Sequence, residues 1–333
     1  MATTATTNGS TASTNGTTNG TTKPSITTNG PSQTASRSSL IDYDAARASL
    51  ARDGFVVLPG TSFPRLHALL PALRSAAASL TTSARDGEWP YIRTLPKQFP
   101  PWPSDPSAGI WGVQHLLHPS NPSSPLFAES YFDPDLTRLV AELIECREDE
   151  LVMELYNLLV KPDHDFELRW HRDDIPATAT PEEELARLNK PGFHAQWNLP
   201  LYDDASLIVV PGSHARARTE AERTAEPYQA ELPNLKVVKL KAGDVVFYNN
   251  NILHRGVYDS SKERLTLHGS MGCVSGSSER ARNVLQHGVG NWVDRVEFES
   301  LPEEARERAE AMRKSLFEMG RGAGDVGFYS KDE

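Results

Sequence analysis

The run Leu207-Ile208-Val209-Val210-Pro211-Gly212 is four apolar residues stopped by a proline-glycine turn, the length and punctuation of a β-strand. Runs of the same kind lie on either side, over residues 193–201, 235–241, 244–249 and 264–273, separated by Gly, Pro and Asp turns. Residues 151–160 form a longer, continuously apolar run suited to a buried strand. Strands that follow one another in this way argue for a closed β sandwich or jelly roll rather than repeated βαβ units. The predicted class is therefore mainly β, with helices flanking the strands.

Those helices start at recognisable caps. Order begins near Ile41-Asp42, with a helix leading into the apolar strand Phe55-Val56-Val57-Leu58. A second helix opens near Pro64, with Leu66, Leu69, Leu70 and Leu73 on one face and Pro71 as a flaw in it. A third opens at Asp133-Pro134, carrying Leu136, Leu139, Val140, Leu143 and Ile144 at helical spacing. Thr180 to Glu184 reads as the start of a capped, acidic helix facing solvent. A C-terminal helix from Ser300-Leu301-Pro302-Glu303 to about Met319 has Ala305, Ala309, Met312 and Leu316 as a packing stripe. Residues 1–38 are almost entirely Thr, Asn, Gly, Ser and Ala and bury too little apolar surface to offset ordering entropy. They are expected to form a disordered tail, leaving 39–333 as a single domain.

A chain of 333 residues that is 38% hydrophobic can bury one large core. Its net charge of −10, without a basic run, argues against a nucleic-acid or anionic-membrane partner. Cys146 and Cys273 have neither disulfide-framework nor zinc-site spacing, and point to a reducing, intracellular and cytoplasmic setting. No apolar stretch reaches the length of a membrane span, and the N-terminus has no apolar secretory core.

The chemistry centres on Trp170-His171-Arg172-Asp173-Asp174. If this stretch is extended, alternation turns His171 and Asp173 to one face and Arg172 and Asp174 to the other. One imidazole and one carboxylate then converge, two thirds of the facial triad that holds Fe(II) with positions left open. A third ligand would be a His on a distant strand. His254 is the leading candidate, between the strand Val245-Val246-Phe247-Tyr248 and an Arg255-Gly256 turn, with His214 and His268 as alternatives. In Arg264-Leu265-Thr266-Leu267-His268, alternation puts Arg264, Thr266 and His268 on one face. A buried Arg264 needs an anion, and its planar fork suits a carboxylate, with the Thr266 hydroxyl adding a bond; a surface salt bridge is the plainer reading. Residues 86–125 scatter Trp89, Tyr91, Trp102 and Trp111 among prolines and glycines, either a lid over an apolar substrate or a loop pinned by its rings. His115 and His118 follow without a carboxylate partner, which argues against metal there.

Taken together, His171-x-Asp173, Pro211-Gly212-Ser213-His214, Gly243-Asp244 leading to His254, and Arg264 resemble the phytanoyl-CoA dioxygenase family of Fe(II)/2-oxoglutarate oxygenases, over roughly residues 45–275. The resemblance implies a double-stranded β-helix (cupin-like) core, Fe(II) on His171, Asp173 and His254, and 2-oxoglutarate anchored by Arg264 with Thr266. It implies use of O2, with 2-oxoglutarate decarboxylated to succinate and CO2 as a small-molecule substrate is hydroxylated. Trp197 resembles a pocket-lining tryptophan of the family, with a structural core role equally open. Asp204-Ala205-Ser206 replaces the family's frequent Asn-Gly turn. Leu159 and Val160 stand where a polar cosubstrate contact is often found, and Asn157 is taken as the substitute. Asp173 fills the position where related halogenases have a small residue, so hydroxylation is the expected reaction.

Two rivals remain: a cupin-like metal enzyme that does not use 2-oxoglutarate, and a non-catalytic β-sandwich binding module. The aromatic-rich segment and the lack of a basic patch favour a small, fairly apolar or acyl substrate over a coenzyme A thioester. Arg216 and Arg218 are the residues available to meet an anionic one.

Overall fold

The structure is a computed structural model that describes residues 40–190, 194–286 and 288–323. The expected tail at 1–38 lies outside the described residues. The strands, in chain order, are β1 (Phe55–Leu58), β2 (Ile92–Thr94), β3 (Ile110–Val113), β4 (Leu151–Val160), β5 (Phe166–Glu167), β6 (His194–Pro200), β7 (Leu207–Val210), β8 (Lys236–Val237), β9 (Val245–Tyr248), β10 (Leu253–Tyr258) and β11 (Leu265–Cys273). They form a seven-stranded sheet ordered β1-β9-β6-β11-β4-β3-β2 and a four-stranded sheet ordered β5-β10-β7-β8. From β4 onward the chain crosses between the two sheets: β4, β6, β9 and β11 join the larger, and β5, β7, β8 and β10 the smaller. Neighbouring strands are antiparallel throughout. This winding is a double-stranded β-helix.

The helices are α1 (Tyr43–Asp53), α2 (Pro64–Arg85), α3 (Ser124–Tyr131), α4 (Pro134–Leu143), α5 (Pro181–Leu188), α6 (Glu220–Arg223), α7 (Ser278–Gln286) and α8 (Glu303–Arg321). Asp42 caps α1 through the Ala45 N–H, and Asp133 caps α4 through the N–H groups of Asp135 and Leu136. Leu66, Leu70 and Leu73 of α2, Leu136 and Leu139 of α4, and Ala309, Met312 and Leu316 of α8 share one core with Trp197, Leu267 and Met271 of the larger sheet. Helices α2, α4 and α8 thus cover one face of that sheet and leave its other face, toward the smaller sheet, for a site. None of the described helices is long and apolar enough to cross a membrane.

Two elements differ from the sequence reading. Arg255-Gly256 is the middle of β10, not a turn: Gly256 pairs with Leu207, and a Cβ there would lie 2.3 Å from the Tyr258 hydroxyl. Glycine here allows close approach rather than chain reversal. Helix α5 has the predicted cap, with Thr180 and Glu183 bonding reciprocally, but it does not simply face solvent. Glu184 is fully buried and pairs with Arg218, with Arg223 at 2.8 Å and with Arg172 at 3.5 Å. The carboxylate offsets three guanidinium groups, which is why an acidic residue can turn inward.

Removing it would leave those cations uncompensated. Glu184→Ala is expected to cost about 3–5 kcal/mol in urea unfolding, whereas the change at its exposed neighbour, Glu182→Ala, should stay within about 0.5 kcal/mol.

Candidate metal centre and its cavity

Strand β5 ends at Glu167, but pairing resumes at one residue. His171 and His254 exchange both backbone hydrogen bonds, N to O at 3.0 Å each way. Directly opposed antiparallel residues present their side chains on the same face, so the two imidazoles lie side by side, with centroids 4.2 Å apart. Asp173, two residues on, returns to that face, and its Oδ1 lies 3.5 Å from His171 Nε2 and 3.7 Å from His254 Nε2. One ligand atom from each of the three lies within 4.8 Å of the others.

The ring orientations are fixed from behind. His171 Nδ1 is 2.8 Å from the Arg169 carbonyl, and His254 Nδ1 is 2.8 Å from the Ile252 carbonyl. A carbonyl only accepts, so each Nδ1 carries a proton, and in the neutral ring this is the tautomer whose Nε2 lone pair faces Asp173. Burial above all lowers the His254 pKa to about 4 and keeps that ring neutral near pH 7. Burial works against ionisation of Asp173, yet the His171 and His254 rings and the Gln196 amide hold its carboxyl well below the usual carboxylate range. Gln196 Nε2 donates to Asp173 Oδ2 at 3.1 Å. In that tautomer two imidazole nitrogens and a carboxylate oxygen face one another as three acceptors, an arrangement that fits a cation.

The Pro-Gly-Ser-His turn locks the two halves together. Ser213 Oγ accepts from Leu253 N at 2.7 Å, beside His254, and its carbonyl accepts from the Arg172 guanidinium at 2.9 Å, beside His171. Asp174 turns away from the cluster to Arg187, at 3.1 Å, and to Asn250. The other histidines have different duties. His214 Nε2 meets the Ala51 carbonyl, His268 Nδ1 meets Asn198 Oδ1 at 2.8 Å, and His115 and His118 stack among Tyr91 and Trp292.

The cluster opens onto a cavity of about 910 Å³ between the sheets. Arg264 lines it, but Asp204 Oδ2 takes its Nε at 3.1 Å and the Thr266 hydroxyl at 2.8 Å. Burial opposes ionisation of Asp204, but Arg264 and the Ser206 donors hold its pKa at about 2. Arg264 Nη1 is buried without a hydrogen-bond partner, so one edge of the fork is uncommitted. Asn157 is on the cavity side of β4, in register with His268, yet its Oδ1 accepts from His115 N and it is not part of the cavity wall. Trp197 does not line the cavity. It is fully buried on the helix side of β6, against Tyr131 and Phe247, and its neighbours Gln196 and Asn198 line the cavity instead. Arg216 and Arg218 are held by Glu222 and Glu184. Residues 86–125 contain β2 and β3, so the segment is not merely irregular: Trp102 and Trp111 are pinned through the Lys97 carbonyl, at 3.1 Å each, and Phe99 packs edge-on to His171 at 5.6 Å. Gln196 and Arg93, which line the cavity, and Asp204, which holds Arg264 and Thr266 from behind it, are among the residues that sequence reasoning misses. Alternation along 193–201 identifies Gln196 once Trp197 is placed in the core, whereas no periodic signal marks Arg93.

Two of the cavity imidazoles, His254 and His268, make stability depend on pH. Burial lowers His268 to about 3, as it lowers His254 to about 4, whereas an unfolded His titrates near 6.5. Between those values the unfolded chain binds protons that the native state refuses. Stability associated with these rings is therefore present above about pH 6.5 and lost as pH falls toward 4. The denaturation midpoint of metal-free protein should fall over that window, and His268→Gln should make the fall shallower.

The family model described as phytanoyl-CoA dioxygenase (PhyH) matches residues 51–264, more than half of the chain. No curated protein matches the sequence. Among solved structures, AviO1 from Streptomyces viridochromogenes is similar at 21% identity and a TM-score of 0.48, covering 69% of this chain and 95% of that one. EctD from S. alaskensis, solved with 2-oxoglutarate and 5-hydroxyectoine, is similar at 21% identity and TM-score 0.48, with 69% and 76% covered. The epimerase SnoN, in complex with Fe3+, alpha-ketoglutarate and nogalamycin RO, is similar at 17% identity and TM-score 0.47, with 70% and 84% covered. On the match of the family model, the chain belongs to the phytanoyl-CoA dioxygenase (PhyH) family.

Proposed function

We propose that this chain is an Fe(II)- and 2-oxoglutarate-dependent oxygenase that hydroxylates a small molecule. The observation that carries the reading is the three facing acceptors of His171, Asp173 and His254 in the same cavity as an arginine with an uncommitted edge. The donor set fits iron: two neutral imidazoles and one carboxylate neutralise part of its charge and leave positions open. Iron held there would supply O2 activation coupled to decarboxylation of 2-oxoglutarate to succinate and CO2.

The protein's own part is positioning. The Arg169 and Ile252 carbonyls hold the imidazoles in the ligand tautomer, and Gln196 fixes the second oxygen of Asp173. Arg264 would receive the far carboxylate of 2-oxoglutarate on its open edge while Asp204 and the Tyr258 ring, 4.2 Å away, fix the guanidinium plane. Aromatic side chains of residues 86–125 wall off one side of the cavity, which limits water at the reacting centre.

The pairing of Arg264 and Thr266 with Asp204 favours a second reading, a metal enzyme of the same fold that does not use 2-oxoglutarate. Anaerobic titration separates the two. The oxygenase binds Fe(II) and then gives a weak visible charge-transfer band on addition of 2-oxoglutarate; the second enzyme binds metal but gives no band.

His171→Ala and Asp173→Ala should each remove Fe(II) binding in anaerobic calorimetry, and unchanged binding in either would exclude that residue as a ligand. Arg264→Ala should leave Fe(II) binding intact and weaken 2-oxoglutarate by about 1.5–3 kcal/mol, the range for a hydrogen bond to a charged group. Equal 2-oxoglutarate affinity in the variant would remove Arg264 from the cosubstrate site.

A further inference from the structure

Five arginines line the cavity, and four of them have a carboxylate of the chain. Arg172 pairs with Glu184, Arg187 with Asp174, Arg264 with Asp204 and Arg280 with Glu154. Arg93, on β2, has no ion pair or hydrogen bond from its guanidinium among the described residues, and its Nε is buried without a partner. The group is nonetheless held in place. Its central carbon lies 5.2 Å from the rings of both Trp102 and Trp111, and its stem crosses Gly112, where a Cβ would come within 2.9 Å of Arg93 Cδ. Cation–π contact fixes a guanidinium without neutralising it. Burial lowers its pKa to about 10, which still leaves it charged near neutral pH. The nearby groups that favour its charge are Tyr258, Tyr248 and Asp173. Burial keeps both phenols protonated, and Asp173 is assigned to the metal.

We infer that Arg93 binds the carboxylate of the substrate, and that the substrate is a monocarboxylic acid whose apolar body lies along Phe99, Trp102 and Trp111. The inference rests on the oxygenase reading for the word substrate, and on charge for the rest. The cosubstrate is a dianion with one carboxylate for the metal and one for Arg264, so it leaves Arg93 unmatched. A single fixed cation set against two indole rings suits one carboxylate with a hydrophobic neighbour, rather than a polyphosphate, which would need several cations.

The test uses 4-phenylbutyrate and its neutral counterpart 4-phenylbutanol, titrated by calorimetry into the full chain loaded with Fe(II) and 2-oxoglutarate without O2, and again into the metal-free chain. The wild type should bind the acid at least about tenfold more tightly than the alcohol, the scale of one charged hydrogen bond. Arg93→Gln should bring the two affinities together, and Arg93→Lys should keep part of the preference. Gly112→Ala, which retains the guanidinium but displaces its stem, should also reduce the preference. Affinity for 2-oxoglutarate should change less than about twofold in Arg93→Gln, well short of the loss of a charged contact. No acid preference in the wild type, or an undiminished preference in Arg93→Gln, would overturn the inference. So would a fall in 2-oxoglutarate affinity in Arg93→Gln, which would make Arg93 a cosubstrate anchor. Failure of the oxygenase reading is read separately, as absence of Fe(II) or 2-oxoglutarate binding while the acid preference persists in the metal-free chain.

Discussion

Two backbone hydrogen bonds between His171 and His254 hold the site together. Regular pairing of β5 with β10 has already ended, and this isolated bridge restores it at the position where two imidazoles must share a face. Everything near it braces the bridge. Ser213 ties down Leu253, Arg172 reaches back to the Ser213 carbonyl, and Glu184 offsets the buried charge of Arg172. The costly burial of an arginine and a glutamate behind the site is thereby linked to the geometry in front of it.

The same logic of charge runs through the cavity. A cation facing the cavity is offset when it has an anion, and the chain supplies one for Arg172, Arg187, Arg264 and Arg280. Asp204 gives Arg264 its counter-charge but leaves an edge of the guanidinium open. Arg93 has aromatic rings in place of an anion, and so defines where negative charge must come from outside.

Much of this was legible in the residues, for identifiable reasons. Short apolar runs closed by Pro-Gly turns made β7 readable, and two-residue periodicity put His171 and Asp173 on one side. The same periodicity set Asp174 apart, and its carboxylate meets Arg187 and Asn250. What was hidden depended on partners distant in sequence. Glu184 looks like a solvated charge until three arginines surround it, and Gly256 looks like a turn until the Tyr258 hydroxyl needs its space. β2 and β3 are three and four residues long and flanked by prolines, too short for alternation to emerge, so Arg93 carried no signal of its own. Trp197 illustrates the converse: alternation alone assigns it and Gln196 to opposite faces, but only the packing of Tyr131 and Phe247 shows which face is the core.

Iron ligation by the paired imidazoles is tested by X-ray absorption at the iron edge on protein loaded anaerobically with one Fe(II) per chain, for the native sequence and for His254→Ala. Ligation by His171, Asp173 and His254 predicts scattering from two imidazoles in the native protein, with further change when 2-oxoglutarate is added, and loss of the iron from the variant. Iron that stays bound in His254→Ala with the same imidazole scattering would contradict it.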